Sequence, residues 1–581
     1  MSSETRRTVL TLAAIFRQRD EGIQLLWLGL FALLLLVVAF IVLVLPQRSY
    51  TTDYLIDEIA FTSAAYRAYW GQVPSVDFSS HFGALTFYPA ALGFRLGLPP
   101  GAVLAFGQFL VSVFLLGTAV AVAYPRLSLP SSYLILLFVF LFAVTPTGIG
   151  ALPNNISFGL YYDRYGWAAL TLVLVFYVES HNRSSTAFWR DAIVLGLLLL
   201  FLFYTIINFA LVALVFTAAN AVTSPYKRRV CAIALALFVI IFAFVTLATT
   251  YNSAYFRDIA EQTAIAPQYV SVLSKLPTRA FFGNETVIAL TMVSLLLLCL
   301  AGRRRVLDVA FTAGAIASAL VLTTQSLADQ PRNAPLLLAV IACFEELARR
   351  AEPHSWGTST QWWPQHAASL SILGLMFVFL SEPALRHSYV LLVYTTKTLL
   401  SPAAASKSPL PLRGFLLDPP SRSTLANVLG TDVEGRAQIA MLRKEARTDI
   451  KLELEPPEYL VTIADGIALL KGTIQDNQTI AVFDVSDPFS FALGLRPTRY
   501  GYPVFVGGPV VGWGGSRFRQ QHPAPERLFS NADYTMVPRV PFSEAHLDMV
   551  QEVYGPYLRA NFQPLKSSAY WDLWARKRVA E

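Results

Sequence analysis

Charge is scarce in this chain. Asp, Glu, Lys and Arg make up 14% of its residues and hydrophobic types 55%, against about 25% charged in soluble proteins. So little charge cannot cover the water-facing surface of 581 residues, which excludes a single soluble domain. Cysteine is nearly missing as well. Cys231, Cys299 and Cys343 lie in or beside apolar runs without zinc-like spacing. They exclude a disulfide framework and a cysteine-based metal site, and read as small buried hydrophobes. No stretch interleaves basic and aromatic residues, so no nucleic acid is expected as a partner. "GGPVVGWGGSR" lacks the G-x-x-x-x-G-K-[ST] pattern of a phosphate loop and reads as a turn-rich sheet edge. The first apolar run, from about Leu25 to Leu45, follows Arg6, Arg7, Arg17 and Arg19 and carries no A-x-A-like cleavage site. That pattern predicts a retained helix, not a cleaved signal peptide.

What the chain does have is span-length apolar windows. Crossing the roughly 30 Å hydrocarbon layer takes about 20 apolar residues. Windows recur near 25–46, 101–124, 131–147, 166–179, 230–249, 286–301, 306–324, 334–347 and 368–382. Residues 191–223 form one apolar run, either a long tilted helix or two short helices folded around Tyr204 to Asn208. Charge chooses between them. With a cytoplasmic N-terminus, the folded reading leaves Lys227, Arg228, Arg229 and Arg303, Arg304, Arg305 in inner loops; a single helix would put them outside, against the positive-inside tendency. The expected fold is therefore a polytopic α-helical membrane protein of about 11 transmembrane helices. Non-helical backbone at the hairpin tip would have to be buried in protein or line a wet cavity.

Beyond Leu380 the spans give way to prolines and polar turns. The expected organisation is a cytoplasmic N-terminus, 1–24; a transmembrane domain, 25–382, with a long outer loop, 47–100; and an extracytoplasmic C-terminal domain, 383–581. In the last, "EYLVTIADGIALLKGTIQ" has helical spacing, "TIAVFDV" reads as a buried strand and "YPVFVGGPVVGWGG" as a glycine-broken strand pair, which suggests an α/β domain.

The outer loop opens with "YLIDEIAFTSAAYRAYWG", an acid pair at the start of a helical pattern that stops at Gly71. A helix lying on the membrane surface fits it. Neighbouring acids on a helix point about 100° apart, so only one of Asp57 and Glu58 faces a given site. The pair reads either as charge suited to the helix dipole or as chemistry. Further along come Asp77 and His81, in "GQVPSVDFSSHFGALTFYP".

An acid pair soon after the first span, a helix, a glycine, then Asp and His before an aromatic and proline stretch resembles the first outer loop of GT-C fold glycosyltransferases. The likeness is greatest to the protein O-mannosyltransferase and lipid A aminoarabinose transferase group, whose "HPPL" stands here as "SHFGAL". The resemblance implies a donor sugar on a polyprenyl phosphate, an envelope glycan, lipid or protein as acceptor, and a multi-pass enzyme of the bacterial inner membrane. It implies Asp57 as general base with Glu58 beside it, and inversion by a single displacement. It implies no cofactor. Asp57, Glu58, Asp77 and Asp163 could converge on a divalent metal, though their spacing does not demand one.

A lipid phosphate at the interface needs cations or backbone donors, and Arg164, Lys275, Arg279 and Arg332 fall at outer helix ends or loops. "NNISFGLYYDRYGWAAL" sets Asp163 and Arg164 among Tyr161 and Tyr162, which reads as an interfacial aromatic belt with an ion pair or as a face for a sugar ring. "QSLADQPRNAP" carries Gln330, Arg332 and Asn333, a solvated turn or a ligand contact. Two rival functions stand beside glycosyl transfer. One is a lipid-linked polysaccharide ligase or polymerase, which would place its key residues in a large later loop. The other is a secondary transporter, which would carry ionisable groups near the midplane that these spans nearly lack.

Overall fold

The computed structural model describes residues 22–52, 54–147, 154–265, 305–325, 338–340, 342–343, 346, 383–400, 412–416, 456–501, 524–542 and 544–577. The spans near 286–301 and 368–382 and most of 334–347 lie outside them, as do Cys299 and "YPVFVGGPVVGWGG". Cys231 and Cys343 are buried, unbridged thiols.

Among the described residues, four helices are long and apolar enough to cross a membrane: α1 (Gly22–Val44), α4 (Pro100–Ala123), α7 (Ser185–Phe203) and α9 (Pro225–Ala248). The chain is a multi-pass membrane protein. Shorter apolar helices α5 (Leu129–Val144) and α8 (Ile207–Ala221) pack among them. Helix α6 (Tyr161–Val175) is buried in all but Tyr162, as befits a helix apolar on every side. It begins five residues before the apolar window, because the polar "YYDRY" turn is enclosed by protein and not left at the interface. Helix α11 (Arg305–Gln325) follows the window at 306–324.

The long apolar run 191–223 is two helices, parted at Tyr204, Thr205 and Ile206. The first outer loop supplies the donors that the break needs. Leu85 N–H donates to Tyr204 O at 2.8 Å and Gly83 N–H to Thr205 O at 3.1 Å; the Thr86 hydroxyl adds a bond to Thr205 O at 3.2 Å. Backbone that leaves the helix at membrane depth is thus satisfied by protein. The start of α7 is pinned to the end of α4 by a buried ion pair, Arg126 to Asp191 at 2.5 Å, with Arg126 lying 4.2 Å over the Phe176 ring.

Helix α2 (Leu55–Tyr69) departs from the surface helix expected of it. Twelve of its residues are buried, because it has two apolar neighbours and not one. Phe61, Ala64 and Ala65 pack into the cluster of the membrane helices. Leu55, Ile59 and Tyr66 pack with Tyr459, Ile463, Phe491 and Trp571 of the C-terminal region. Burying side chains of this size contributes roughly 1.5–3 kcal/mol each. Short α3 (Tyr88–Arg95) and α10 (Tyr251–Ile265) complete the end that carries α2.

The C-terminal region joins both the first loop and the membrane helices. Strands β1 (Ser49–Tyr50) and β2 (Phe415–Leu416) pair in parallel, and residues 383–400 form a helix, α12, whose Val390, Leu391 and Tyr394 share the membrane-helix core. Residues 456–577 then build a five-stranded mixed sheet, ordered β4 (Arg496–Pro497), β3 (Thr479–Val482), β5 (Tyr534–Pro538), β7 (Trp571–Arg576), β6 (Phe562–Ser567). Strands β4, β3 and β5 run parallel, and the β6–β7 hairpin adds antiparallel to β5. The "TIAVFDV" stretch supplies the buried β3, and α13 (Pro456–Leu470) the helix read from spacing.

Candidate active site at the first outer loop

Helix α2 starts under local strain. Its N-cap, Tyr54, sits in the left-handed region at φ 52°, a conformation that costs a side-chain-bearing residue of order 1 kcal/mol or more. Three other non-glycine residues with positive φ among those described are Gln47, Ser75 and Tyr500. The first two lie in this loop, and Tyr500 donates its N–H to Asp77 O at 2.5 Å. Strain therefore concentrates around one loop.

The two acids have separate fates. Glu58 is wholly buried. Its Oε2 accepts from the Thr51 hydroxyl at 2.7 Å, and its Oε1 accepts from the Ser157 hydroxyl at 2.9 Å and from Phe158 N–H at 2.6 Å. Burial raises its pKa to about 7, against the lowering effect of these three donors, and the neighbouring Asp57 charge pushes the same way as burial. Asp57 is half-buried. It stands in the first helical turn, where negative charge suits the dipole, and it is backed by Gly159, at which an added Cβ would lie 2.9 Å from the Asp57 Cβ.

One turn along the same face from Asp57 is Phe61. Its ring lies 5.1 Å from Tyr161 and 5.5 Å from Tyr162; Tyr162 meets Phe82 at 4.2 Å, and Phe82 meets His81 at 3.9 Å. The Tyr161 hydroxyl donates to Thr86 O at 2.6 Å. The loop thus brings His81, Tyr161 and Tyr162 to one aromatic wall, with Asp57 one helical turn before its Phe61. The protein around His81 pushes its imidazole down to about 4, so it is neutral at pH 7 and offers a hydrogen bond, not a charge. Asp163 and Arg164 are buried in the first turn of α6. Asp77 closes its own turn, Oδ2 accepting from Val73 N–H at 2.8 Å. Lys275, Arg279, Gln330, Arg332 and Asn333 lie outside the described residues. Among the described residues no three His, Cys, Asp or Glu groups are arranged to hold a metal ion.

Sequence reasoning missed several residues of this neighbourhood. Asp258 on α10 accepts from Ser80 N–H at 2.7 Å, next to His81, and burial raises its pKa to about 7. Arg67, two and a half turns after the acid pair, donates to Thr498 O at 2.8 Å and Tyr500 O at 3.1 Å. Gln72 adds bonds to Pro497 O and Thr498 O. None of these partners has a local signature, since the contacts join residues from 178 to 433 positions apart.

No protein-family model matches the chain, and comparison with curated proteins returns no match. Solved structures of low identity do match. ArnT from Cupriavidus metallidurans bound to undecaprenyl phosphate is 13% identical, with a TM-score of 0.46, over 94% of this chain and 98% of that one. The archaeal oligosaccharyltransferase AglB from Archaeoglobus fulgidus, in complex with an inhibitory peptide and a dolichol-phosphate, is 11% identical, TM-score 0.35, over 95% and 74%. The arabinofuranosyltransferase AftD from Mycobacteria is 12% identical, TM-score 0.38, over 96% and 40%. All three are GT-C fold glycosyltransferases, the group that the first outer loop resembles. With TM-scores below 0.5, these likenesses give no residue of this chain a role.

Proposed function

We propose that the chain is a membrane glycosyltransferase that moves a sugar from a polyprenyl-phosphate carrier to a hydroxyl of an envelope glycan, lipid or protein on the outer face. The observation that carries this is the division of labour in the acid pair. Glu58 is enclosed and saturated with donors, whereas Asp57 keeps part of its surface open one turn from the aromatic rings of Phe61, Tyr161 and Tyr162. A carboxylate beside aromatic faces suits a sugar and its acceptor: the rings pack on the C–H faces, and the acid takes a proton.

Asp57 removes the proton from the acceptor hydroxyl as that oxygen attacks the anomeric carbon. The bond from that carbon to the phosphate oxygen breaks, and its electron pair leaves with the lipid phosphate. Configuration inverts. Because phosphate departs without protonation, one base suffices, unlike the two carboxyls of glycoside hydrolysis.

The test is Asp57→Asn in membranes whose lipid-linked sugars carry a metabolic radiolabel. Transfer of label out of the polyprenyl-phosphate pool should fall about 100-fold or more, while the purified variant keeps its melting midpoint and still binds undecaprenyl phosphate. Full transfer by this variant removes Asp57 as the base.

A further inference from the structure

Glu58 has no exposed surface, and an enclosed carboxyl cannot touch an acceptor hydroxyl. Its contacts point elsewhere. Thr51 reaches one oxygen, from the stretch ahead of α2. Ser157 and Phe158 reach the other, from the loop ahead of α6. The same two stretches are tied again by Thr52, whose N–H donates to Ile156 O at 2.9 Å, while its hydroxyl donates to Asn154 O at 2.6 Å and accepts from Ile156 N–H at 2.8 Å. Beyond Phe158 comes Gly159, whose N–H is held by the Ser157 hydroxyl at 2.9 Å and at which an added Cβ would stand 2.9 Å from the Asp57 Cβ and 3.1 Å from the Tyr54 Cβ. Tyr394 of α12 closes the far side, its ring 5.6 Å from Phe158. Among the described residues, Tyr394 and Asp57 are the ionisable groups facing Glu58.

We infer that Glu58 is a positioning residue: its carboxyl pins the 154–160 loop to the stretch ahead of α2 and thereby seats Gly159 against Asp57, fixing where the Asp57 side chain points. The inference rests on the reading of Asp57 as the base, but its geometric half stands without it. A carboxamide preserves the arrangement, because its oxygen accepts from Ser157 and Phe158 while its NH₂ donates to a rotated Thr51 hydroxyl. An alanine leaves three buried donors without an acceptor.

Hydrogen exchange on the full-length protein in nanodiscs separates the possibilities. Glu58→Ala should lose protection about tenfold or more at the amides of Phe158 and Gly159, and lose labelled-sugar transfer with it. Glu58→Gln should restore most of both. Asp57→Asn should keep the protection and lose the transfer. Unchanged protection in Glu58→Ala overturns the clamp. Loss of transfer in Glu58→Gln with protection intact also overturns it, since Glu58 would then act as an ionised group. Normal transfer by Asp57→Asn would sink the base assignment alone and leave the protection result to decide the clamp.

Discussion

Gly159 leaves no room for a side chain beside Asp57: a Cβ there would come within 2.9 Å of the Asp57 Cβ and 3.1 Å of the Tyr54 Cβ. The neighbouring backbone must shift if the methyl is added. On the proposed reading of Asp57 as the base, Gly159→Ala should therefore lower sugar transfer by about 10- to 100-fold, with binding of a polyprenyl phosphate unchanged. Transfer within a factor of about two of the parent chain would show that the seat tolerates a methyl.

Gly83 lies against the break between α7 and α8, and a Cβ on it would stand 2.1 Å from Tyr204 O. Because backbone meets backbone, no rotamer change relieves the clash. Gly83→Ala should destabilise the fold by at least about 3 kcal/mol, seen as loss of monodisperse protein in detergent. Gly117 on α4 has nothing within 4 Å of its added Cβ, so Gly117→Ala should stay within about 0.5 kcal/mol. Equal effects at both positions would contradict the close approach.

The junction between α2 and the C-terminal region turns on Arg67. Besides its two carbonyl acceptors, its cation lies near the buried Asp487 and draws that carboxyl down against the raising effect of burial. Arg67→Ala strands those acceptors and should cost about 3 kcal/mol. The expected readout is limited proteolysis that frees a C-terminal fragment under conditions where the parent chain stays whole. Unchanged resistance would mean that the apolar contacts of Leu55, Ile59 and Tyr66 hold the junction unaided.

Three carboxyls outside the spans, Glu58, Asp258 and Asp484, have pKa values raised to about 7 from 4.5, 3.8 and 3.8, chiefly by burial. Each binds its proton more tightly folded than unfolded. Their contribution to stability is present in full below about pH 4 and is lost as the pH rises through about 7. The melting midpoint in detergent should fall across that window, and Glu58→Gln should flatten part of the slope. A midpoint that rises from pH 4 to 7 would mean that groups with lowered pKa values dominate.

The parts of this fold that were legible depended on local pattern. The length of the run at 191–223, together with Lys227, Arg228 and Arg229 beyond it, was enough to anticipate a break near Tyr204. The 100° offset between successive helix positions anticipated that Asp57 and Glu58 would differ. Which acid would be buried was not legible, because the donors Ser157 and Phe158 lie about a hundred residues away. Asp258 escaped notice for the same reason: its partner, Ser80, is 178 positions distant. Asp77 carried the opposite difficulty. A lone acid in a loop looks alike whether it meets a ligand or, as here, accepts from its own turn.

The bond between Arg67 and Thr498 spans 431 residues, which gives the protein a clock during synthesis. At about 5–20 residues per second, the ribosome needs roughly 20 to 90 seconds to supply the second partner after the first has emerged. Through that interval α2 can pack against the membrane helices but lacks the neighbours that cover Leu55, Ile59 and Tyr66. Completion of the acid-bearing loop is thus deferred until Thr498 has been made, so a chain truncated before Thr498 should insert in the membrane and still fail to present Asp57 in its final setting.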